Sequence, residues 1–223
     1  MSSPWLINLG TIDQKNKYLP DIISGKKICA LAITEPQAGS DMVSIGTTAT
    51  LEDDNWVING SKTFITNGVY GDLYFVAART SSDGPTHQQL SQFLVEAGTP
   101  GLTVSKKLTK TGMWSSDTAE LVFENVKIPK SNLLGEQGKG FYQLAAGLQR
   151  ERLMASILCV SASEQALEDC KSYLKQRQAF GNKLSEFQAL RHRIADMAVS
   201  IEAARHLTYH AASKFSSDQD CVT

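Results

Sequence analysis

The stretch Asn55-Trp56-Val57-Ile58-Asn59-Gly60-Ser61-Lys62-Thr63-Phe64-Ile65-Thr66-Asn67-Gly68 decides the fold class. Two runs rich in β-branched and aromatic residues, Trp56–Asn59 and Ser61–Thr66, flank Asn59-Gly60, and Asn67-Gly68 ends the second. Asn and Gly both tolerate positive φ, so Asn59-Gly60 predicts a type I′ hairpin. The same pattern continues outward on both sides. Ile28–Thr34, Ile45–Leu51, Leu73–Arg79, Gln92–Glu96, Leu102–Lys106 and Ala119–Phe123 read as further short strands. Asp53-Asp54-Asn55, Asp83-Gly84-Pro85 and Thr99-Pro100-Gly101 supply turn chemistry between them. Many short strands at this spacing predict an antiparallel β-barrel or sandwich.

After Pro129 the apolar period changes from two to about 3.6. One long helix is predicted from near Gly140 to about Gln176, with the stripe Phe141, Leu144, Leu148, Glu151/Arg152, Ala155, Leu158/Cys159, Ala162 and Ala166. Ala179-Phe180-Gly181-Asn182 breaks it. A second helix is predicted to open at Ser185, with Ser185 and Gln188 as a capping box. Its stripe is Leu190, Ile194, Met197, Ile201, Ala204, Thr208, Ala211 and Phe215. The two would form an antiparallel hairpin with apolar surface on more than one side, which needs further helices to cover it. The expected class is α+β: an antiparallel β-barrel or sandwich middle domain, residues 28–130, then long antiparallel helices of an incomplete four-helix bundle, residues 131–223. Residues 1–27 hold a helix-like piece, Thr11–Tyr18, with no evident partner. The chain stops at Cys221-Val222-Thr223 without a helix stop signal. Both ends read as cut.

Composition narrows the function classes. With 22 Lys+Arg against 23 Asp+Glu the formal charge is −1, which leaves no basic excess for a phosphate backbone. Hydrophobic content of 42% argues against disorder. No apolar run reaches the roughly 18 residues of a membrane span, and the N-terminus lacks the parts of a secretory signal. Cys29, Cys159, Cys170 and Cys221 match neither a CxxC metal pair nor a disulfide framework, which points to a reducing compartment. His206 and His210 stand at i, i+4, but no nearby Cys or Asp completes a ligand set.

Three segments can carry chemistry. In Leu31-Ala32-Ile33-Thr34-Glu35-Pro36-Gln37-Ala38-Gly39-Ser40-Asp41 a strand runs into a loop where Pro36 stops pairing and Gly39 permits close backbone approach. Backbone N–H groups there can meet a phosphate or a flavin edge; an ordinary turn fits equally well. In Phe64-Ile65-Thr66-Asn67-Gly68 an aromatic ring two residues before a strand-end threonine suits a planar heterocycle, or simply a half-buried strand. Gln149-Arg150-Glu151-Arg152 interrupts the long helix with four polar residues. A carboxylate on the apolar stripe is either a base with a shifted pKa or half of an ion pair.

Taken together, TEPQAGSD within Leu31–Asp41, FITNG at Phe64–Gly68, DTAELVF at Asp117–Phe123 and KQRQAFG at Lys175–Gly181 occur in the order and spacing of the acyl-CoA dehydrogenases. The resemblance spans nearly the whole chain. Leu134-Gly135-Glu136, Lys139–Tyr142, Glu151–Met154 and Ser161–Glu164 resemble the long-chain branch in particular. It implies an FAD flavoprotein that introduces a trans double bond into a fatty acyl-CoA thioester. Leu31, Ile33, Thr34, Gly39 and Ser40 would then line the flavin and its pyrophosphate, and Ser40 also the pantetheine arm. Phe64, Ile65 and Thr66 would flank the isoalloxazine; many relatives carry Trp at the Phe64 position. Arg177 and Gln188 would reach the FAD of a neighbouring subunit, which implies a homo-oligomer, a dimer or tetramer. Some relatives have a threonine where this chain has Ala179. Tyr142, Gln149, Arg150 and Arg152 would face the acyl-CoA, with His87 and Gln88 as looser contacts.

Glu151-Arg152-Leu153 matches the arrangement in which the long-chain and isovaleryl branches place the base, so the resemblance implies Glu151 in that role; most of the family place theirs beyond the point where this sequence stops. Electron-transferring flavoprotein is the implied acceptor, in a bacterial cytoplasm or a mitochondrial matrix. The family's N-terminal helical domain and last helices are mostly missing, so the stretch alone is expected to be poorly active and weak in holding FAD. An acyl-CoA oxidase, or a non-catalytic acyl-thioester-binding module, are the alternatives.

Overall fold

The computed structural model describes residues 3–217 and Gln219; Cys221 and the chain's last residues, on which the missing stop signal was read, lie outside the described residues. The chain divides into two compact units, residues 1–147 and 148–223.

The first unit opens with α1 (Ser3–Leu9) and α2 (Ile12–Ile23). Its strands are β1 (Cys29–Ala32), β2 (Thr48–Glu52), β3 (Asn55–Thr66), β4 (Leu73–Arg79), β5 (Leu90–Glu96), β6 (Leu102–Lys107), β7 (Thr118–Pro129) and β8 (Leu133–Leu134). They form one sheet in the order β6-β7-β3-β2-β4-β5-β8, with β1 parallel to β4. The class is α+β as expected, but the sheet does not close into a barrel, because β6 and β8 end it as unjoined edges. β2 and β4 meet at a single bridge, Thr48↔Arg79, where the sheet folds over. Trp56 of β3 and Phe93 of β5 consequently pack edge to face, their centroids 5.1 Å apart.

Asn59-Gly60 makes no hairpin. β3 runs straight through it for 12 residues because β7 pairs with it from Asn55↔Pro129 to Thr66↔Thr118. The register slips beside Gly60 because β7 carries one extra residue between Phe123 and Val126; Gly60 answers at φ 148°, where a Cβ would overlap Thr47. The Asn59 side chain accepts the backbone N–H of Asn125 across the ladder at 2.8 Å instead of shaping a turn. The true hairpin is Asp53-Asp54 between β2 and β3, with Asp53 at φ 52°.

Alternation along β4 sends Tyr74, Val76 and Ala78 into the core inside the fold, with Trp56, Ile58, Phe93, Leu121 and Phe123. Leu73 and Phe75 face the other way, onto Trp5, Leu6 and Tyr18. The N-terminal helices therefore do have a partner, contrary to the sequence expectation. Their hydrophobic side covers the outer face of β4 and β5, which explains why both strands are buried at every residue but the last rather than at alternate ones. Thr11 caps α2 in a capping box with Gln14, whose amide also donates to the carbonyls of Ser131 and Leu133. Trp5 Nε1 donates to the Gln143 carbonyl at 3.1 Å, fastening α1 to the first turns of α3 (Gly140–Gln176).

The second unit holds the rest of α3, a hairpin of β9 (Gln178–Ala179) and β10 (Asn182–Lys183), and α4 (Gln188–Ser216). The hairpin tip is Phe180-Gly181, at φ 54° and 80°. The capping box predicted at Ser185 does not form: Leu184–Glu186 is a short 3₁₀ turn, and α4 starts one residue after Phe187 with no side-chain cap. Leu158, Val199 and Leu207 stand exposed along the two helices, the uncovered apolar surface that the sequence implies.

Candidate functional site

A cavity of about 400 Å³ opens in the first unit, lined by Ser3, Ile22, Cys29, Leu31, Ile33, Thr34, Phe64, Thr66 and Asn67. Five of the residues expected to line a flavin, Leu31, Ile33, Thr34, Phe64 and Thr66, meet here from β1 with the loop after it and from β3. Alternation explains Leu31 and Ile33: Ala30 and Ala32 point into the core, so their neighbours face the cavity.

Phe64 and Thr66 owe their placement to a bulge on the β3 side of the same ladder. Between Lys62↔Leu121 and Ile65↔Ala119 the strand carries one extra residue. Phe64 there adopts φ 59°, and the residue is 70% exposed where it lines the cavity. Thr63, dropped from the β7 ladder, bonds Thr34 instead. Its N–H donates to Thr34 O at 2.9 Å, and Thr34 Oγ1 donates to Thr63 O at 2.5 Å. With its proton so used, the Thr34 hydroxyl can only accept from a ligand. Thr66 has no side-chain hydrogen-bond partner among the described residues and can donate. The Ile65 side chain is turned into the core.

Behind this wall lies a feature that the sequence reading missed. Lys62 Nζ and Glu35 Oε1 are 2.7 Å apart with both side chains buried. Burial pulls the Lys62 ammonium down to about 8, with Glu35 opposing it. Burial works against the Glu35 charge too, yet Lys62, Thr47 and the Gly46 N–H hold its carboxyl below the usual carboxylate range. The signal was legible: period two along β3 puts Lys62 on the same inward face as Trp56 and Ile58. Cys29 and Asn67 were also missed. Burial pushes the Cys29 thiol up, so it stays protonated and inert, while the Asn67 amide donates to Cys29 O at 3.1 Å.

Gly39 and Ser40 are exposed on the turn that follows the Glu35–Ala38 backbone bridge, and no atom lies within 4 Å of where a Gly39 Cβ would stand. His87 packs edge to face on Tyr142, centroids 5.7 Å apart, and leans on Phe141. Gln88 is exposed beside them.

In the second unit Gln149, Arg150 and Arg152 are exposed on α3 and Glu151 is half-buried. Arg150 stacks on Phe215 at 5.6 Å. Glu151 forms no ion pair among the described residues, so the structural alternative of an intrahelical or interhelical pair is not realised. His206 pairs with Glu202 at 3.0 Å. Arg177 and Gln188 are both exposed, on either side of the β9–β10 hairpin. Phe180 at its tip is 94% exposed, packed edge to face on Phe187. Neither the helix break nor the KQRQAFG match singles out Phe180; a large apolar residue before glycine at a turn is the signal that does.

The cavity's mix of apolar wall, exposed ring and two hydroxyls suits a planar heterocycle with hydrogen-bonding edges. Comparison with known proteins agrees in kind. Residues 30–126 match the acyl-CoA dehydrogenase middle domain, and residues 138–222 the acyl-CoA dehydrogenase C-terminal domain. The long-chain specific acyl-CoA dehydrogenase, mitochondrial, of Rattus norvegicus is 44% identical over 204 residues, 91% of this chain and 47% of that protein. The short-chain specific acyl-CoA dehydrogenase of Megasphaera elsdenii is also 44% identical, over 92% of this chain and 54% of that protein. A structure of PigA with FAD and proline superposes with a TM-score of 0.95 at 34% identity, covering 99% of this chain and 57% of that one. The chain thus spans about half the length of the curated relatives it matches. Within that span both domains are of one kind, and the chain belongs to the acyl-CoA dehydrogenase family.

Proposed function

We propose that this chain carries the flavin-facing and acyl-facing parts of an FAD-dependent acyl-CoA dehydrogenase, acting on fatty acyl thioesters to give the trans-2-enoyl product. The observation that carries the reading is the convergence of Thr34, Phe64 and Thr66 on one cavity in a member of this family. FAD bound there supplies the hydride acceptor for the Cβ hydrogen. Phe64, Leu31 and Ile33 would pack on its ring, while Thr66 would donate a hydrogen bond to it and Thr34 would accept one. Gly39 and Ser40 offer backbone and hydroxyl groups toward the pyrophosphate, and Ser40 also toward the pantetheine.

The α-proton of a thioester is too weakly acidic for a fully solvated carboxylate, so the base must be partly dried. Glu151, half-buried and without an ion-pair partner among the described residues, takes that proton on its carboxylate as the Cβ hydrogen leaves as hydride, and the Cα–Cβ double bond forms. Tyr142, Gln149, Arg150 and Arg152 contact the acyl-CoA, with His87 and Gln88 nearer its polar end. The exposure of Arg177 and Gln188 supports their reaching the FAD of a second copy in a homo-oligomer. Electron-transferring flavoprotein is the proposed acceptor, in a bacterial cytoplasm or a mitochondrial matrix. Relatives named for long and short chains match equally well, so the reading commits to the thioester class and not to a chain length.

The test is anaerobic titration of the purified, FAD-supplemented protein with octanoyl- and palmitoyl-CoA. Slow bleaching of the flavin band, in keeping with the poor activity expected of this stretch alone, is expected, followed by reoxidation with electron-transferring flavoprotein. A flavin band that neither thioester bleaches would overturn the reading, and rapid reoxidation in air would turn it toward an oxidase.

A further inference from the structure

A buried ion pair adds little net stability, because desolvation offsets most of the attraction. Glu35 and Lys62 are nevertheless 1% and 0% exposed along their side chains, and what distinguishes them is reach. Lys62 Nζ also donates to Ile33 O at 3.0 Å. Glu35 Oε1 accepts from the Thr47 N–H at 3.0 Å and its hydroxyl at 2.5 Å. Glu35 Oε2 accepts from the Gly46 N–H at 2.7 Å and the Gln37 amide at 2.6 Å. Three separate segments, 33–37, 46–47 and the bulged part of β3, are thus tied at one contact.

That contact lies directly behind the cavity wall. Thr34 precedes Glu35, and Phe64 follows Lys62 by two residues. Phe64 stands in the left-handed region, where its Cβ crowds the following carbonyl, and its exposed side chain buries little to offset that strain. Something else must hold the bulge. Thr34 takes both backbone groups that Thr63 loses from the β7 ladder, and Thr34 is itself held between Ile33 and Glu35, the two residues that Lys62 grips.

Resting on the flavin reading above, we propose that the Glu35–Lys62 pair is a positioning device: it clamps Thr34 against Thr63 and keeps Phe64 in the left-handed conformation that turns its ring to the cavity. Neither residue touches the cavity, so both act through Thr34 and Phe64. The charges serve geometry rather than global stability.

The experiment compares wild type, Lys62→Met and the double variant Glu35→Gln/Lys62→Met as full chains. Three readouts are taken: melting temperature, amide hydrogen exchange at Thr63 and Ile65 with Phe75 of β4 as reference, and the dissociation constant of added FAD from fluorescence quenching. Lys62→Met, which strands a buried carboxylate, should melt lower. The double variant removes both charges and should regain the wild-type melting temperature, yet exchange about tenfold faster at Thr63 and Ile65 and bind FAD about tenfold more weakly. If Lys62→Met does not fold, the double variant carries the comparison. A double variant with wild-type protection at those amides overturns the proposal. Should wild type bind no FAD, the flavin reading fails by itself, and the exchange data still decide whether the pair holds the bulge.

Discussion

Thr34 of the cavity wall and the buried Thr63 exchange two hydrogen bonds, Thr63 N–H to Thr34 O and the Thr34 hydroxyl to Thr63 O. The second bond exists only because a bulge removed Thr63 from its strand partner. Thr34→Val keeps the shape and deletes the donor, leaving the Thr63 carbonyl short of a partner. We expect a loss of about 1 kcal/mol in urea unfolding, together with weaker FAD binding. Unchanged values for both would mean that water replaces the hydroxyl at no cost.

Phe64 separates backbone strain from ring chemistry. Glycine accepts its φ of 59° without penalty, and the ring is largely exposed. Phe64→Gly should therefore leave stability equal or higher by up to about 1 kcal/mol, while FAD affinity falls. Stability that drops with the ring's removal would show that the ring packs on protein rather than waiting for a ligand.

The pH response of Glu35 follows from its neighbours. Its carboxyl lies below the usual range when folded, so the unfolded chain takes up that proton first as pH falls. Its contribution is intact above the ordinary carboxylate range and is lost as pH falls from that range through the lower folded value. Lys62 runs oppositely. Held at about 8 when folded, it loses its proton before the unfolded chain does, so between about 8 and the ordinary lysine range stability should rise relative to Lys62→Met. Urea midpoints against pH check both limbs. Identical acid limbs for wild type and Glu35→Gln would contradict the first.

At Gly147 a Cβ would run into the Trp5 ring, which buried packing and its bond to Gln143 hold in place. Gly147→Ala should cost roughly 1–3 kcal/mol by overpacking. Pairing it with Trp5→Leu should recover part of that loss, measured as a thermal shift.

Glu151→Gln should retain FAD and a near wild-type melting temperature, yet slow acyl-CoA-dependent bleaching by roughly 10²–10⁴-fold. Turnover at the wild-type rate would move the base to another carboxylate.

Long periodic elements were legible from residues alone. The bounds of α3 came directly from its apolar stripe and the Ala179–Asn182 break, since a helix of 37 residues needs only its own period. Asn59-Gly60 misled because local turn preference lost to a 12-residue partner strand whose pairing is not a local property. The partner of α2 was invisible for the same reason: Leu73 and Phe75 are distant in sequence, and a strand covered on both faces shows no alternation. The capping residues at Ser185 failed because a 3₁₀ turn displaced the helix start. In the candidate site, Leu31, Thr34 and Phe64 rest on the family resemblance. Lys62 was readable by period two, but a lysine invites the assumption of an exposed face.

The helices at the front of the chain act as a roof over a sheet that is greasy on both sides. Stripping residues 1–27 would leave Leu73, Phe75 and Leu94 facing water in adjoining rows. A shortened chain beginning at Ile28 would therefore keep its strands and lose its solubility, gathering into aggregates through that bared surface rather than unravelling.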